Sequence, residues 1–189
     1  MTLKIEKVTG QSIDDVAQLF CADKDTNHCW CMWFIIPVKE FHAAGSEGNR
    51  ARFTELLTHA EQPLGLLAYQ DDEPVGWCAA GPRSRYIRAL RTPTYQGGGA
   101  GDNAAVWLTP CFFVRPDMRG RGISKALLEA AIGLAQEYGA TAIEGFPNAD
   151  ATEHKSGDTQ VGFEQLFASC GFHVIRRPSS GRVVMRREF

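Results

Sequence analysis

A glycine-rich turn with two arginines is the segment of this chain whose residue types and spacing best suit chemistry. It covers residues 119–124 (Arg-Gly-Arg-Gly-Ile-Ser), between an apolar run over 105–113 and an amphipathic stretch that predicts a helix over 125–137. The first amides of a helix lack partners within the helix, and the helix dipole favours negative charge there. Glycines let the backbone approach a ligand closely and adopt a positive φ. The turn therefore predicts a site for a phosphate or another anion.

Two familiar phosphate-binding loops are excluded by their residues. A P-loop ends in Gly-Lys-Ser/Thr, which is absent, and a dinucleotide fingerprint needs a third glycine where this chain has Lys125. What remains is Arg119-x-x-Gly122-x-Ser124, which resembles the acyl-CoA-binding motif R/Q-x-x-G-x-G/A of the GNAT superfamily of N-acetyltransferases. Ser124 stands where glycine or alanine is usual, but serine is small and keeps its amide. An ordinary strand-to-helix turn would carry the same short pattern, so the rest of the chain has to separate the two interpretations.

Composition places the chain among ordinary globular proteins. Its 189 residues suit one domain, residues 1–189, and it is 44% hydrophobic and 22% charged. The formal net charge of -2 does not suggest a nucleic-acid or anionic-membrane surface. Early charged residues argue against a signal peptide, and no apolar run approaches the roughly 20 residues of a membrane span. We expect a cytoplasmic protein whose six cysteines are reduced.

Periodicity and turn residues predict the element order β-α-α-β-β-β-α-β-α-β-β. The predicted strands cover residues 3–8, 64–69, 74–80, 105–113, 141–146, 172–176 and 182–187, and the helices 12–23, 49–60, 125–137 and 161–170. Residues 27–37 form a Cys- and aromatic-rich connector and 83–103 an irregular insertion. This is the order of the acetyltransferase fold, an α/β (α+β) fold with a mixed central sheet flanked by helices. A second segment, residues 166–172 (Leu-Phe-Ala-Ser-Cys-Gly-Phe), looks like the family's L-Y-x-x-x-G-F.

The resemblance implies an acetyl-CoA-dependent N-acetyltransferase. The acetyl group would pass to a primary amine of a small molecule, or to an exposed protein amine, by direct attack in a ternary complex. In this family the strand before the phosphate loop separates from its neighbour, and its free edge can pair with the amides of pantetheine. The residues that the resemblance assigns to the cosubstrate are Phe112, Phe113, Val114, Arg119, Gly120, Arg121, Gly122, Ile123 and Ser124, with Phe167 at the family's tyrosine position. Phe167 has no proton to give to the departing thiolate.

Glu144 is the best candidate for the base that deprotonates the amine. It lies within an apolar strand, where a lone carboxylate is costly and where burial would raise its pKa towards a useful range. A paired structural carboxylate, or one that points to solvent, is the alternative. Asp150 and His154 are weaker candidates in the following loop. Thr109 and Cys111 are candidate polar contributors beside the thioester, although packing roles are the simpler interpretation.

The segment 28–34 (His-Cys-Trp-Cys-Met-Trp-Phe) is the second unusual feature. In this fold it would border the acceptor site, so Trp30 and Trp33, together with Cys111, are predicted to contact the acceptor. A hydrophobic plug over the sheet is the alternative. A metal site on His28, Cys29 and Cys31 lacks a second close ligand pair, so no metal is expected.

Two functions remain as alternatives to the enzyme. One is an acyl-CoA-binding module without turnover, favoured by Phe167, and the other is a cysteine-based redox or metal sensor on the same scaffold. The expected partner is an amine acceptor, small molecule or protein, with no nucleic acid and no membrane. Monomer and homodimer both stay open.

Overall fold

A seven-stranded mixed sheet forms the centre of the structure, a computed structural model that describes residues 2–95, 102–149 and 160–189. The strands are β1 (Leu3–Lys7), β2 (Gly65–Gln70), β3 (Glu73–Pro82), β4 (Val106–Val114), β5 (Ala142–Gly145), β6 (His173–Ser179) and β7 (Arg182–Glu188). They are arranged in the order β1-β2-β3-β4-β5-β7-β6. Only β4 and β5 pair in parallel, and the other neighbours are antiparallel. This mixed sheet confirms the fold class predicted from the sequence.

Helices cover both faces of the sheet. They are α1 (Ile13–Cys21), α2 (Lys24–Cys29), α3 (Val38–His59), α4 (Ile87–Arg91), α5 (Ile123–Glu137) and α6 (Glu164–Ser169). The apolar stripe of α5, with Leu127, Leu128 and Ala131, packs on one face in a cluster that includes Phe112 and Phe167. On the other face, α1 and α3 bury residues such as Phe20 and Phe53 in a second cluster. In the described residues, no helix is both long and apolar enough to cross a membrane.

The divergence of β4 from β5 is the feature that creates room for a site. β5 pairs with β4 only from Val106 to Leu108, while β3 pairs with β4 as far as Val114. One extra residue in β4 produces a bulge, since Ala79 lies opposite Cys111 and Gly81 opposite Leu108. Beyond the bulge, the edge of β4 that faces away from β3 has no strand partner in the described part of the chain.

The structure contains helical segments that the sequence did not predict: α2, the first half of α3, and α4. α2 (Lys24–Cys29) ends inside the connector predicted over 27–37. The helix predicted over 49–60 begins at Val38 instead, with a break at Gly45 (φ 61°). The irregular insertion contains α4, and its glycine run over 97–101 lies outside the described residues. Ser12 precedes α1 as predicted, but its hydroxyl accepts a hydrogen bond from the amide of Thr9 and does not cap α1.

Candidate active site

The turn between β4 and α5 has the geometry of an anion site. A 3-10 turn over Pro116–Met118 leads into Gly120 (φ 76°) and Gly122 (φ 80°), and Gly122 is the N-cap of α5. No side chain of the described chain caps this helix, so its first amides are available to a ligand. An added Cβ at either glycine would meet nothing within 4 Å, which shows that the space above the turn is open. The backbone therefore presents a helix N-terminus to an anion, as the sequence predicts.

The arginines of the turn are exposed and bind its backbone. Arg119 Nε donates to the carbonyl oxygen of Val114 at 3.2 Å, and Arg121 Nη2 donates to that of Asp117 at 3.4 Å. Arg115 pairs with Asp117 and Glu73. The first contact ties the turn to the end of β4, so the turn keeps a fixed position relative to the free strand edge.

Three adjoining cavities form one groove from this turn into the protein. The loop cavity, about 290 Å³, lies above the turn, and the strand cavity, about 240 Å³, runs beside the end of β4. The aromatic cavity, about 430 Å³, adjoins the strand cavity. The loop and strand cavities share Phe112, Val114, Arg119, Ser124 and Phe163. The strand and aromatic cavities share Asp25 and Gln160. The groove therefore passes along the free edge of β4 and meets the aromatic cavity at Asp25 and Gln160.

Aromatic side chains from α2, α3 and the segment between them line the aromatic cavity. Phe41 stands at the centre of an edge-to-face network, with its ring centroid 5.0 Å from Trp33, 5.3 Å from His28 and 5.4 Å from His42. The polar lining residues include Asp25, Gln160 and Arg182. The cavity thus combines an apolar wall with few polar groups, which is the usual character of a small-molecule site.

The structure separates the residues that the sequence assigned to the acceptor. Trp33 and Cys111 line the aromatic cavity, and their contact with an acceptor stays a prediction. Trp30 does not line this cavity, because its side chain is fully buried against Phe20 and Phe53 in the core below α1 and α3. The segment 28–34 is therefore partly a cavity wall and partly the hydrophobic plug that was its alternative interpretation.

Glu144 is a paired, buried carboxylate. It has no exposed surface, and it accepts from Arg186 Nη1 at 2.6 Å, from Arg83 Nη1 at 3.2 Å and from the hydroxyl of Tyr95. Burial and this carboxylate raise the pKa of Tyr95, so the phenol stays protonated as the donor. Glu144 does not border any of the three cavities of the groove. Its position corresponds to the structural alternative and does not support the predicted role as base.

Phe167 lies in the core and does not line the groove. Its ring is fully buried, 5.0 Å from the ring of Phe172 and 6.0 Å from that of Phe112. Gly145 and Gly162 leave the space that the ring occupies, because an added Cβ at either would press on it. The predicted cosubstrate contact of Phe167 is therefore not supported by its position.

Two of the cysteines that line the aromatic cavity, Cys29 and Cys111, have thiols whose pKa is raised. Burial raises the pKa of Cys29 to about 12, and a hydrogen bond with Cys31, together with burial, raises that of Cys111 well above its ordinary value. Thiols in this state are poor nucleophiles and poor redox centres. Cys29 and Cys111 are therefore poorly suited to the redox alternative. In the part of the chain that the structure describes, no three His, Cys, Asp or Glu residues form a metal-binding group.

Of the other candidate residues named from the sequence, the structure describes Thr109 but not Asp150 or His154. Thr109 is buried and its hydroxyl lies 3.3 Å from the thiol of Cys78, so it packs inside the sheet.

Sequence reasoning missed Asp25 and Gln160 at the junction of the cavities. A carboxylate on a six-residue helix and an amide in a loop carry no periodic or motif signal that would have identified them.

The site thus consists of a parallel strand pair that opens beside a glycine-rich turn at a helix N-terminus, with the aromatic cavity next to it. The sequence model of the Acetyltransferase (GNAT) family matches residues 26–154, and the chain belongs to this family. Solved structures agree in fold. PaiA N-acetyltransferase from Thermoplasma acidophilum, in complex with coenzyme A, is 13% identical, with a TM-score of 0.58 and coverage of 100% of both chains.

Two further solved structures are similar to the chain at low identity. A GCN5-related N-acetyltransferase from Kribbella flavida is 18% identical, with a TM-score of 0.58 over 99% of this chain and 98% of that chain. The GNAT domain of S. lividans PAT is 17% identical, with a TM-score of 0.57 over 100% and 92%. No curated protein sequence matches. At these identities the neighbours define the fold, and the activity has to be argued from the groove.

Proposed function

We propose that the protein is an acetyl-CoA-dependent N-acetyltransferase that acetylates a primary amine held in the aromatic cavity. The observation that carries the proposal is the groove from an uncapped helix N-terminus, along a free strand edge, into the aromatic cavity. The amides of residues 120–124 would hold the pyrophosphate, and the backbone of Phe112, Phe113 and Val114 would pair with pantetheine. When bound, acetyl-CoA supplies an acetyl group activated as a thioester.

Transfer would follow direct attack in a ternary complex. The thioester would lie at the junction of the strand and aromatic cavities, next to Asp25, Gln160 and Cys111. Cys111 is buried, and a hydrogen bond with Cys31 together with burial raises the pKa of its thiol, which favours direct attack by the amine over an acyl-enzyme. The amine nitrogen forms the new C–N bond, the C–S bond breaks, and the thiolate leaves.

His28 is the side chain that we propose takes the proton from the ammonium group. It lies one turn from Asp25 on α2, and both residues line the aromatic cavity. Imidazole performs this task most often in enzymes. Buried Asn49 donates to the carbonyl oxygen of His28 at 3.0 Å and so fixes the backbone that carries the ring.

Release of free coenzyme A from acetyl-CoA, followed with a panel of amines, tests the proposal. We expect amine-dependent release, with initial-velocity lines that intersect as in a ternary-complex mechanism. His28→Gln should lower kcat/KM by about a hundredfold or more without a change in acetyl-CoA affinity. His173→Gln, a matched change at an exposed residue of β6, should leave the rate unaffected. Binding of acetyl-CoA without release for any amine would instead support the binding-module alternative.

A further inference from the structure

We infer that the acceptor is a primary monoamine that carries an aromatic ring, with its ring in the aromatic cavity and its ammonium group on Asp25. This inference rests on the proposed function, since it names the substrate class of the same site. It depends on three features of the cavity: aromatic rings that pack edge to face, a wall that is rigid before a ligand binds, and a single carboxylate at the junction with the strand cavity.

The rings already pack as a partial aromatic cluster. The interplanar angles of Phe41 with His28, Trp33 and His42 are 85°, 81° and 81°. These edge-to-face contacts are the geometry that aromatic rings prefer. An aromatic ring in a cavity lined by Trp33, Phe34 and Phe41 can extend the same arrangement. An alkyl chain fills space there without these contacts, so the wall favours an aryl group.

The wall is held in place by contacts outside the cavity. The guanidinium of Arg88 lies 3.3 Å from the ring centroid of Trp33, and its Nη1 donates to the carbonyl oxygen of Trp33 at 2.9 Å. The Nδ2 of Asn49 lies 3.0 Å from the carbonyl oxygen of His28 and 3.4 Å from that of Phe41. The rings therefore lose little freedom when a ligand enters, which favours selective binding of a rigid group.

The cavity offers one carboxylate to an ammonium group, while the arginine that lines it, Arg182, donates from Nη1 to the carbonyl oxygen of Phe146 at 3.4 Å. Among the described residues that line the cavity, Asp25 is the only carboxylate, and Asp25 also borders the strand cavity. An ammonium on Asp25 therefore lies where the thioester would be, while a ring attached to it by a short linker reaches the aromatic wall. A polyamine would bring further cations against a wall of rings and thiols with no second carboxylate among these residues.

The test measures binding and turnover separately, with 2-phenylethylamine, hexylamine, spermidine and a lysine peptide as probes. Calorimetry on the protein without acetyl-CoA gives amine affinity, and release of free coenzyme A gives turnover. We expect 2-phenylethylamine to bind most tightly and to be acetylated with the highest kcat/KM. Asp25→Asn should weaken the binding of 2-phenylethylamine about tenfold. Asp14→Asn removes the same charge from an exposed position on α1 and should not change that binding. Phe34→Leu should reduce the preference for 2-phenylethylamine over hexylamine about fivefold.

The outcomes distinguish this inference from the proposed function. Acetylation of spermidine or of the lysine peptide, without binding or acetylation of 2-phenylethylamine, would overturn the inference and leave the transferase intact. Asp25-dependent binding of 2-phenylethylamine without any acetyl transfer would support the cavity assignment and overturn the transferase. Equal affinity for 2-phenylethylamine and hexylamine, unchanged by Phe34→Leu, would also overturn the inference.

Discussion

Replacing Glu144 by glutamine keeps the shape of the side chain and removes its negative charge. The side chains of Glu144 and Arg83 are 0% and 4% exposed, and that of Arg186 is 12% exposed. The variant therefore leaves two guanidinium groups, one of them fully buried, without the carboxylate that pairs with both. Removing one partner of a buried ion pair costs about 3–5 kcal/mol of folding free energy. For a chain of this length, 1 kcal/mol lowers Tm by about 2–4 °C, so we expect a fall of about 6–20 °C.

Thermal and urea unfolding, with turnover on the same samples, is the assay for Glu144→Gln. The matched control is Glu129→Gln, because the Lys125–Glu129 pair is exposed and spans 3.9 Å. That control should change stability by less than about 1 kcal/mol. Tyr95→Phe keeps both ion pairs, removes one donor to Glu144, and should lower stability by about 1–3 kcal/mol. An unchanged Tm in Glu144→Gln together with a hundredfold or greater loss of kcat, on the order expected for a lost base, would refute the structural role and restore the base.

Three further predictions concern the core and the thiols. Phe167→Tyr buries a hydroxyl in an apolar cluster, so it should lower stability by about 1–3 kcal/mol and change the maximal rate by less than about tenfold; a large rate gain would show that thiolate protonation limits the enzyme. Gly145→Ala drives a methyl group into the ring of Phe167 and should cost about 1–3 kcal/mol, whereas exposed Gly133→Ala should not destabilise, as unfolding curves would show. Burial raises the pKa of Cys29 to about 12, so its thiolate fraction is far below that of an ordinary thiol. Peptide mass spectrometry should find iodoacetamide on exposed Cys21 first, and equal labelling of Cys29 would contradict this assignment.

The glycine-rich turn and the helix after it could be predicted from the sequence because their signals are local. Gly120 and Gly122 have the positive φ that their residue type suggests, and α5 follows with its apolar stripe. The order of the strands along the chain was also predictable, since alternating and apolar runs mark each strand. The first half of α3 was not, because the glycines at 45 and 48 conceal a helix that breaks at Gly45 and resumes.

The roles of Glu144 and Trp30 depend on contacts between distant segments. The partners of Glu144 come from β7, from the turn after β3 and from the insertion, so no local pattern distinguishes a paired carboxylate from a base. Trp30 and Trp33 are three residues apart, yet one lies in the core and the other in the cavity. The chain turns at Trp30 (φ 44°) and Cys31 (φ 56°), which both have a left-handed backbone. Non-glycine residues rarely adopt this conformation, and periodicity does not predict it.

Calorimetric titration with acetyl-CoA tests the central claim, that the turn over residues 120–124 holds the pyrophosphate of the cosubstrate. Ser124→Asp puts a negative charge at the N-terminus of α5, where it favours the helix and repels a pyrophosphate. Gly122→Val opposes the positive φ and fills the open space above the turn. Both should weaken binding by at least about a hundredfold, or about 2.7 kcal/mol, while Gly133→Val in the same helix should bind like the unaltered protein. Unchanged affinity in Ser124→Asp and Gly122→Val would contradict the claim.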